Sequence, residues 1–373
     1  MKRGSCAFVF LGVVGTLLGV LMMQGRPADQ MHIDTLKFWI NTLPELVGLP
    51  LQHPPRHGNL GIHLPESISP LPDDIQENTK DWRAQFQKAF KFRPVVIRAL
   101  VQQEPSRFAD LLELSKSKGL HKLLNGTKVP VFTHMTKDKS AVNMDFASYM
   151  QASKRMSTAM VNDSRLLYAR AVHDSSGTLQ DSIDEQWIAK LVGLEWGLTL
   201  TAFLMPQKGH RLHIFAGSKP TWTQCHCDIG TSIFIMVEGR KRWRLYAPDQ
   251  TPYLYPYGQQ LNSAFNTAVD VHHPDVGAFP EFAKAAGYEV TLEPGDVLFF
   301  PSMWWHAVEN LDSMSIGLDF AIIDIFGSVL RNPLFTMASL GNLKLVMATV
   351  QGWVSGRGLM ASFFESYLVH PEN

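Results

Sequence analysis

Glu293-Pro294-Gly295-Asp296 followed by Val297-Leu298-Phe299-Phe300-Pro301, and then by Trp304-Trp305-His306, is the stretch on which the reading of this chain turns. The first four residues have turn chemistry, with glycine after proline. They launch an apolar strand, and His306 falls on the extended stretch that follows. Upstream, His226-Cys227-Asp228 stands just before a second apolar strand, Ser232-Ile233-Phe234-Ile235-Met236-Val237. In a strand the side chains of residues two apart point to the same face. His226 and Asp228 are therefore expected to grip one metal ion while Cys227 points away, with His306 supplied by a neighbouring strand. Two histidines and one carboxylate suit non-haem Fe(II) and leave coordination positions open.

Working outward, strands are expected over Lys91–Arg98, Arg165–Val172, Leu198–Phe203, His210–Ala216, Thr231–Val237, Lys241–Tyr246, Tyr288–Leu292, Val297–Pro301 and Ser315–Ala321. Helices are expected over Pro105–Lys118 and Asp184–Leu194, and residues 251–287 read as loops or short helices. Strands with turn signals at short intervals indicate a sandwich or barrel and not alternating βαβ units. The fold class is thus mainly β, with flanking α-helices. From Ile325 to Tyr367 the chain turns helical.

Composition narrows the function. The 373 residues contain 34 Lys plus Arg against 34 Asp plus Glu, a formal net charge of zero. No global electrostatic case for nucleic-acid binding follows. Three cysteines, Cys6, Cys225 and Cys227, provide no disulfide framework. At the N-terminus Lys2 and Arg3 precede an apolar run from Ala7 to Met23, about seventeen residues and the short end of what spans a bilayer. It reads as an N-terminal transmembrane signal anchor, with a cleaved signal peptide as the competitor. The expected placement is single-pass in the membrane with a lumenal catalytic domain, in the endoplasmic reticulum or Golgi; after cleavage it would be secreted or lumenal. The expected division is 1–25 anchor, 26–90 proline-rich stem and helical lead-in, 91–324 catalytic domain and 325–373 C-terminal helical segment.

From about Lys91 to Ile323 the chain resembles a JmjC-type, cupin-fold 2-oxoglutarate-dependent hydroxylase, and is especially similar to the asparaginyl hydroxylase of hypoxia-inducible factor. The likeness runs through His226-x-Asp228, Glu238-Gly239-x-Lys241, Tyr246-x-Pro248-Asp249, Pro274-Asp275, Phe279-Pro280-x-Phe282, Pro294-Gly295-Asp296-Val297-Leu298-Phe299-x-Pro301 and Trp304-Trp305-His306. The resemblance implies a double-stranded β-helix (jelly-roll) barrel. It implies that His226, Asp228 and His306 hold Fe(II) and serve as the catalytic centre. Lys241 would pair with the distal carboxylate of 2-oxoglutarate, assisted by Thr223 and Tyr168. A dianion inside a barrel needs a cation and hydrogen-bond donors to offset its desolvation. Ser232, Asp319 and Ala321 depart from the asparaginyl hydroxylase, which puts asparaginyl specificity in doubt.

The function implied is Fe(II)- and 2-oxoglutarate-dependent hydroxylation of a protein side chain, consuming O2 and releasing succinate and CO2. Hydroxylation of a small metabolite, demethylation of a histone or other protein, and an inactive cupin-fold binding protein are the alternatives. The implied partners are a protein or small-molecule substrate and O2, a membrane through the N-terminal segment, and no nucleic acid. A homodimer through the C-terminal helices is a further expectation drawn from the resemblance.

Overall fold

The computed structural model describes residues 93–324 except 133–140, 159–166, 208, 229 and 259–264, together with 69–70, 74–75, 83–84, 86 and 90. The expected anchor, the C-terminal helical segment and any dimer built through it lie outside these residues.

Sixteen strands are described: β1 (Ser69–Pro70), β2 (Asp74–Ile75), β3 (Val95–Ile97), β4 (Lys128–Phe132), β5 (Ala141–Asp145), β6 (Tyr168–His173), β7 (Leu212–Gly217) and β8 (Trp222–Cys227). These are followed by β9 (Gly230–Glu238), β10 (Lys241–Tyr246), β11 (Pro256–Gly258), β12 (Phe265–Thr267), β13 (Gly287–Leu292), β14 (Val297–Phe300), β15 (Trp305–Asn310) and β16 (Ser315–Ile323). They form a seven-stranded sheet ordered β1-β13-β10-β15-β8-β12-β11 and a nine-stranded sheet ordered β2-β3-β14-β9-β16-β7-β6-β4-β5. The pairings are antiparallel except for the short β1–β13 and β2–β3 contacts.

Alternation along the strands shows how the layers stack. On β14, Leu298 and Phe300 pack with Trp243, Leu245 and Val308 of the other sheet, together with Phe234 and Met236 of β9. The intervening residues, Val297 and Phe299, join Ile233, Ile235 and Val237 of β9 in a second core. That second core is shared with helices on the outer face, through residues such as Leu111, Tyr149, Ile188 and Leu198. Both β9 and β14 are therefore buried on two faces, which is why their sequences are continuous apolar runs. Gly317 of β16 is required by close approach, since a Cβ there would lie 2.2 Å from the Phe234 ring.

The turn before β14 is held by Asp296. Its carboxylate accepts from the Glu293 and Ala99 amides at 2.9 and 3.0 Å and from Arg98 Nη1 at 2.7 Å. Gly295 has φ 96°, and a side chain at that position would also strike Gln102. The Pro-Gly-Asp motif is thus a structural joint that sets the start of β14.

Three sequence expectations are corrected. Leu198–Phe203 lies within an α-helix, Glu195–Leu204, and is not a strand. Leu198 and Thr201, three apart, are the buried pair, while Phe203 is 70% exposed. The Thr199 and Thr201 hydroxyls bond back to the carbonyls of Glu195 and Gly197, so these threonines sit comfortably in a helix. The single helix expected over Pro105–Lys118 is broken into Pro105–Arg107, Leu111–Leu114 and Ser117–Leu123, with Asp110 in the left-handed region at φ 53°. The single-pass membrane placement with a lumenal catalytic domain is also withdrawn. Among the described residues no helix is long and apolar enough to cross a membrane, and the Ala7–Met23 run lies outside them.

Candidate metal and cosubstrate site

His226 is the penultimate residue of β8, and Asp228 follows the strand's last residue. The Met303 amide donates to the Asp228 carbonyl at 2.7 Å and ties that corner to the segment preceding β15. His306 on β15 is the direct cross-strand partner of His226. The three side chains converge: Asp228 Oδ2 lies 3.5 Å from His226 Nε2 and 3.9 Å from His306 Nε2. All three ligand atoms fall within 4.8 Å of one another, and no other such cluster occurs among the described residues. Cys227 points the opposite way and is fully buried, as the strand period requires.

Both imidazoles are aimed by the backbone two residues earlier. His226 Nδ1 meets the Gln224 carbonyl at 2.7 Å and His306 Nδ1 meets the Trp304 carbonyl at 3.0 Å. These bonds place the ring proton on Nδ1 and leave each Nε2 lone pair facing Asp228. Burial alone would push the Asp228 carboxyl up, but the adjacent His226 and His306 hold it at about 2. Burial and the neighbouring His226 depress His306 to about 3. Burial opposes protonation of His226 as well, yet Asp228 outweighs it and raises that histidine. A neutral imidazole at His306 and an ionised Asp228 are the states a divalent metal needs. The donor set and its convergence on one side of a cavity fit non-haem iron.

Lys241 begins β10 and is completely buried. Its ammonium donates to Asn310 Oδ1 and to Tyr168 Oη at 3.4 Å, both neutral groups. With no anion beside it, burial lowers its pKa from 10.5 to about 7. The Tyr168 hydroxyl has Thr223 and Asn310 as hydrogen-bond partners. Lys241, Thr223 and Tyr168 are thereby gathered into one polar corner. Asn310, which the sequence reading missed, completes it: its Nδ2 donates to Thr221 Oγ1 at 2.8 Å, and its register partner is Lys241. The signal was present in the alternation His306, Val308, Asn310, which puts all three on one strand face.

A cleft joins this corner to the His226–Asp228–His306 cluster. It is lined by Tyr168, Thr223, the triad, and the aromatic residues Phe215, Phe234, Trp243 and Phe300, among others. Ser232 and Asp319 line it as well, so two of the three departures from the asparaginyl hydroxylase face the cavity. Burial and the nearby Asp228 push Asp319 up to about 7. Trp304 lies in the core between the sheets, and Trp305 is buried with its Nε1 donating to Thr251 Oγ1 at 2.9 Å.

The sequence model of the cupin-like domain matches residues 84–320, most of the described body and well over half of the chain. The chain belongs to the cupin-like family. Its relatives within that family are of the JmjC type, whose members typically use Fe(II) and 2-oxoglutarate. This cupin-like protein is 40% identical over 116 residues to rat (Rattus norvegicus) HSPB1-associated protein 1, covering 30% of this chain and 24% of the relative. It is 46% identical over 87 residues to chicken (Gallus gallus) tRNA wybutosine-synthesizing protein 5, covering 23% and 25%. It is 38% identical over 110 residues to zebrafish (Danio rerio) lysine-specific demethylase 8, covering 29% and 26%. The chain spans about a quarter of the length of these curated relatives. The resemblance read from the sequence holds at the level of the JmjC family.

Proposed function

We propose that this cupin-like protein is an Fe(II)- and 2-oxoglutarate-dependent dioxygenase that hydroxylates a protein side chain. The observation that carries the reading is the pairing, across one cleft, of the His226–Asp228–His306 cluster with a buried lysine that has no anion among the described residues. His226, Asp228 and His306 would hold the metal. Bound Fe(II) supplies activation of O2 coupled to oxidative decarboxylation of 2-oxoglutarate, which becomes succinate and CO2.

The remaining roles belong to the chain. Lys241 would pair with the distal carboxylate of 2-oxoglutarate, and that anion would return the ammonium to its charged form. The Thr223 and Tyr168 hydroxyls would donate to the same carboxylate, while Asn310 keeps the ammonium aimed along the cleft. Phe215, Phe234, Trp243 and Phe300 would exclude water from the reacting side of the metal. Asp228, 43% exposed, stands at the open end, where a substrate side chain can approach.

The test is conversion of 2-oxoglutarate to succinate by the purified protein with Fe(II) and O2, in step with oxygen incorporation into protein from an extract. Conversion that stops in Asp228→Ala and His306→Ala supports the reading. Conversion that continues in both variants refutes it.

A further inference from the structure

Arg170 is a second cation beside the cleft residue Tyr168, half-buried and with no anion among the described residues. It sits on β6 where the register with β7 shifts between Ala169 and Val172. Ala171 takes φ 51°, a left-handed conformation that is strained for a non-glycine residue. Bulges of this kind re-aim side chains and gather near active sites. Here the extra residue lies between Tyr168 and the rest of β6, opposite the cleft residue Phe215.

The guanidinium is held by ring faces alone. Its Cζ lies 3.8 Å from the Phe132 ring centroid and 5.8 Å from that of Tyr168. No carboxylate, carbonyl or hydroxyl among the described residues receives a hydrogen bond from it, and its Nε is sealed from solvent without a partner. Burial accordingly lowers its pKa. The charge reaches the polar corner, since it favours ionisation of Tyr168. Lys241 lies 5.3 Å from the same Tyr168 ring. Tyr168 therefore stands between two cations, neither with a counter-ion among the described residues.

A half-buried guanidinium whose Nε is sealed from solvent without a partner loses hydration that a bound anion would replace. Phe132 offsets part of that cost through its ring face, but leaves the planar donor fork open. Asp319 does not neutralise it, since no ion pair or hydrogen bond joins the two and Asp319 Oδ1 is itself without a partner among the described residues. In the reading above Lys241 takes the distal carboxylate of 2-oxoglutarate and the metal takes the other end. That leaves Arg170 for the molecule to be oxidised.

We propose that Arg170 is a specificity residue that binds a carboxylate of the primary substrate, so that the site selects an acidic side chain or small acid. This rests on the function proposed above. A carboxylate is favoured over nucleic-acid phosphate because a single guanidinium is involved, on a chain of zero net charge, and not a basic stripe.

The experiment uses the full chain loaded with Mn(II) and N-oxalylglycine, a non-reacting dicarboxylate of the cosubstrate's shape, so that the Lys241 corner is filled. N-acetyl-aspartate methylamide, its neutral asparagine counterpart and inorganic phosphate are then titrated by calorimetry. The expected result is at least tenfold tighter binding of the aspartate probe than of the asparagine probe. That preference should be lost in Arg170→Gln, while affinities for Mn(II) and N-oxalylglycine change by less than threefold. If Arg170→Gln does not fold, Arg170→Lys carries the test, with about a tenfold weaker preference expected from loss of the planar fork. Equal binding of the aspartate and asparagine probes, an undiminished preference in the variant, or tighter binding of phosphate than of aspartate would overturn the proposal. So would a loss of N-oxalylglycine affinity in Arg170→Gln, which would assign the arginine to the cosubstrate. If wild-type protein takes up neither Mn(II) nor N-oxalylglycine, the proposed function fails by itself. The probe comparison is then made on the unloaded protein: an Arg170-dependent carboxylate preference supports the assignment, and its absence overturns it.

Discussion

Replacing Lys241 by methionine should move stability and cosubstrate binding in opposite directions. The side chain is wholly enclosed, its partners Asn310 and Tyr168 are neutral, and burial takes the ammonium from 10.5 to about 7. At about 1.4 kcal/mol per pH unit, that difference corresponds to a charging cost of about 5 kcal/mol in the folded protein. The sign follows from linkage. Between about pH 7 and 10.5 the unfolded chain holds a proton that the folded one has released, so wild-type stability rises with pH across that window. Below about pH 7 the full penalty is present. Lys241→Met should therefore stabilise the metal-free protein by up to about 5 kcal/mol at pH 6 and by about 2 kcal/mol at pH 9, as read from urea melts. These are upper limits, because methionine leaves Asn310 Oδ1 without its donor. The same variant should lose about 2–5 kcal/mol of 2-oxoglutarate affinity, the cost of truncating one partner of a buried charge pair. Calorimetric titration of the Mn(II)-loaded protein reads that loss. A variant that is less stable at pH 6 and binds 2-oxoglutarate unchanged would refute the reasoning, since Lys241 would then be a structural cation.

The same lysine gives a pH dependence: above about pH 7, binding of 2-oxoglutarate requires Lys241 to take up a proton from solvent, so the affinity should fall by about tenfold per pH unit up to the ammonium's ordinary range. An affinity that is flat between pH 7 and 9 would contradict this. Asp228→Ala removes the carboxylate from the cluster and should weaken Mn(II) binding by at least about a hundredfold with little loss of fold; electron paramagnetic resonance titration and circular dichroism read the two effects separately. Gly317→Ala would drive a methyl group into the Phe234 ring and should cost about 1–3 kcal/mol, seen as a lower midpoint in denaturant. Asn310→Ala should leave metal binding intact and weaken 2-oxoglutarate by about tenfold, because Lys241 loses the group that aims it.

The sequence carried the parts of the fold that follow from local chemistry. The turn at Gly295–Asp296 and the strands on either side of it were legible because glycine conformation and apolar runs are local signals. So was the helix Glu185–Val192, with Asp184 capping the Trp187 amide and Gly193 in the left-handed region at its end. The run Leu198–Thr199–Leu200–Thr201 was misread because its alternation and β-branched residues look strand-like. What decides it is the seat of that helix against β16, where Gly197 lies close to the Ile323 carbonyl. No local pattern contains that contact.

Within the site, the triad was legible as types and spacing, and the structure adds convergence through the His306–His226 register. Lys241, Thr223 and Tyr168 come from three separate strands, and the corner they form with Asn310 exists only in the folded sheets. Arg170 was invisible for a related reason. A bulge is a mismatch between two strands, so β6 alone gives no sign that its register breaks against β7. The membrane reading failed differently, because an apolar run near a chain end is a compositional signal that fixes no structure by itself.

The central claim is that the cluster and Lys241 work together on one metal and one dicarboxylate. Anaerobic titration of the Fe(II)-loaded protein with 2-oxoglutarate, followed in the visible spectrum, tests it most directly. The account predicts a saturable new charge-transfer absorption at one equivalent of iron per chain, absent in Asp228→Ala and His306→Ala and requiring far more 2-oxoglutarate in Lys241→Met. A spectrum indifferent to 2-oxoglutarate, or a response that survives loss of Asp228 and His306, would contradict it.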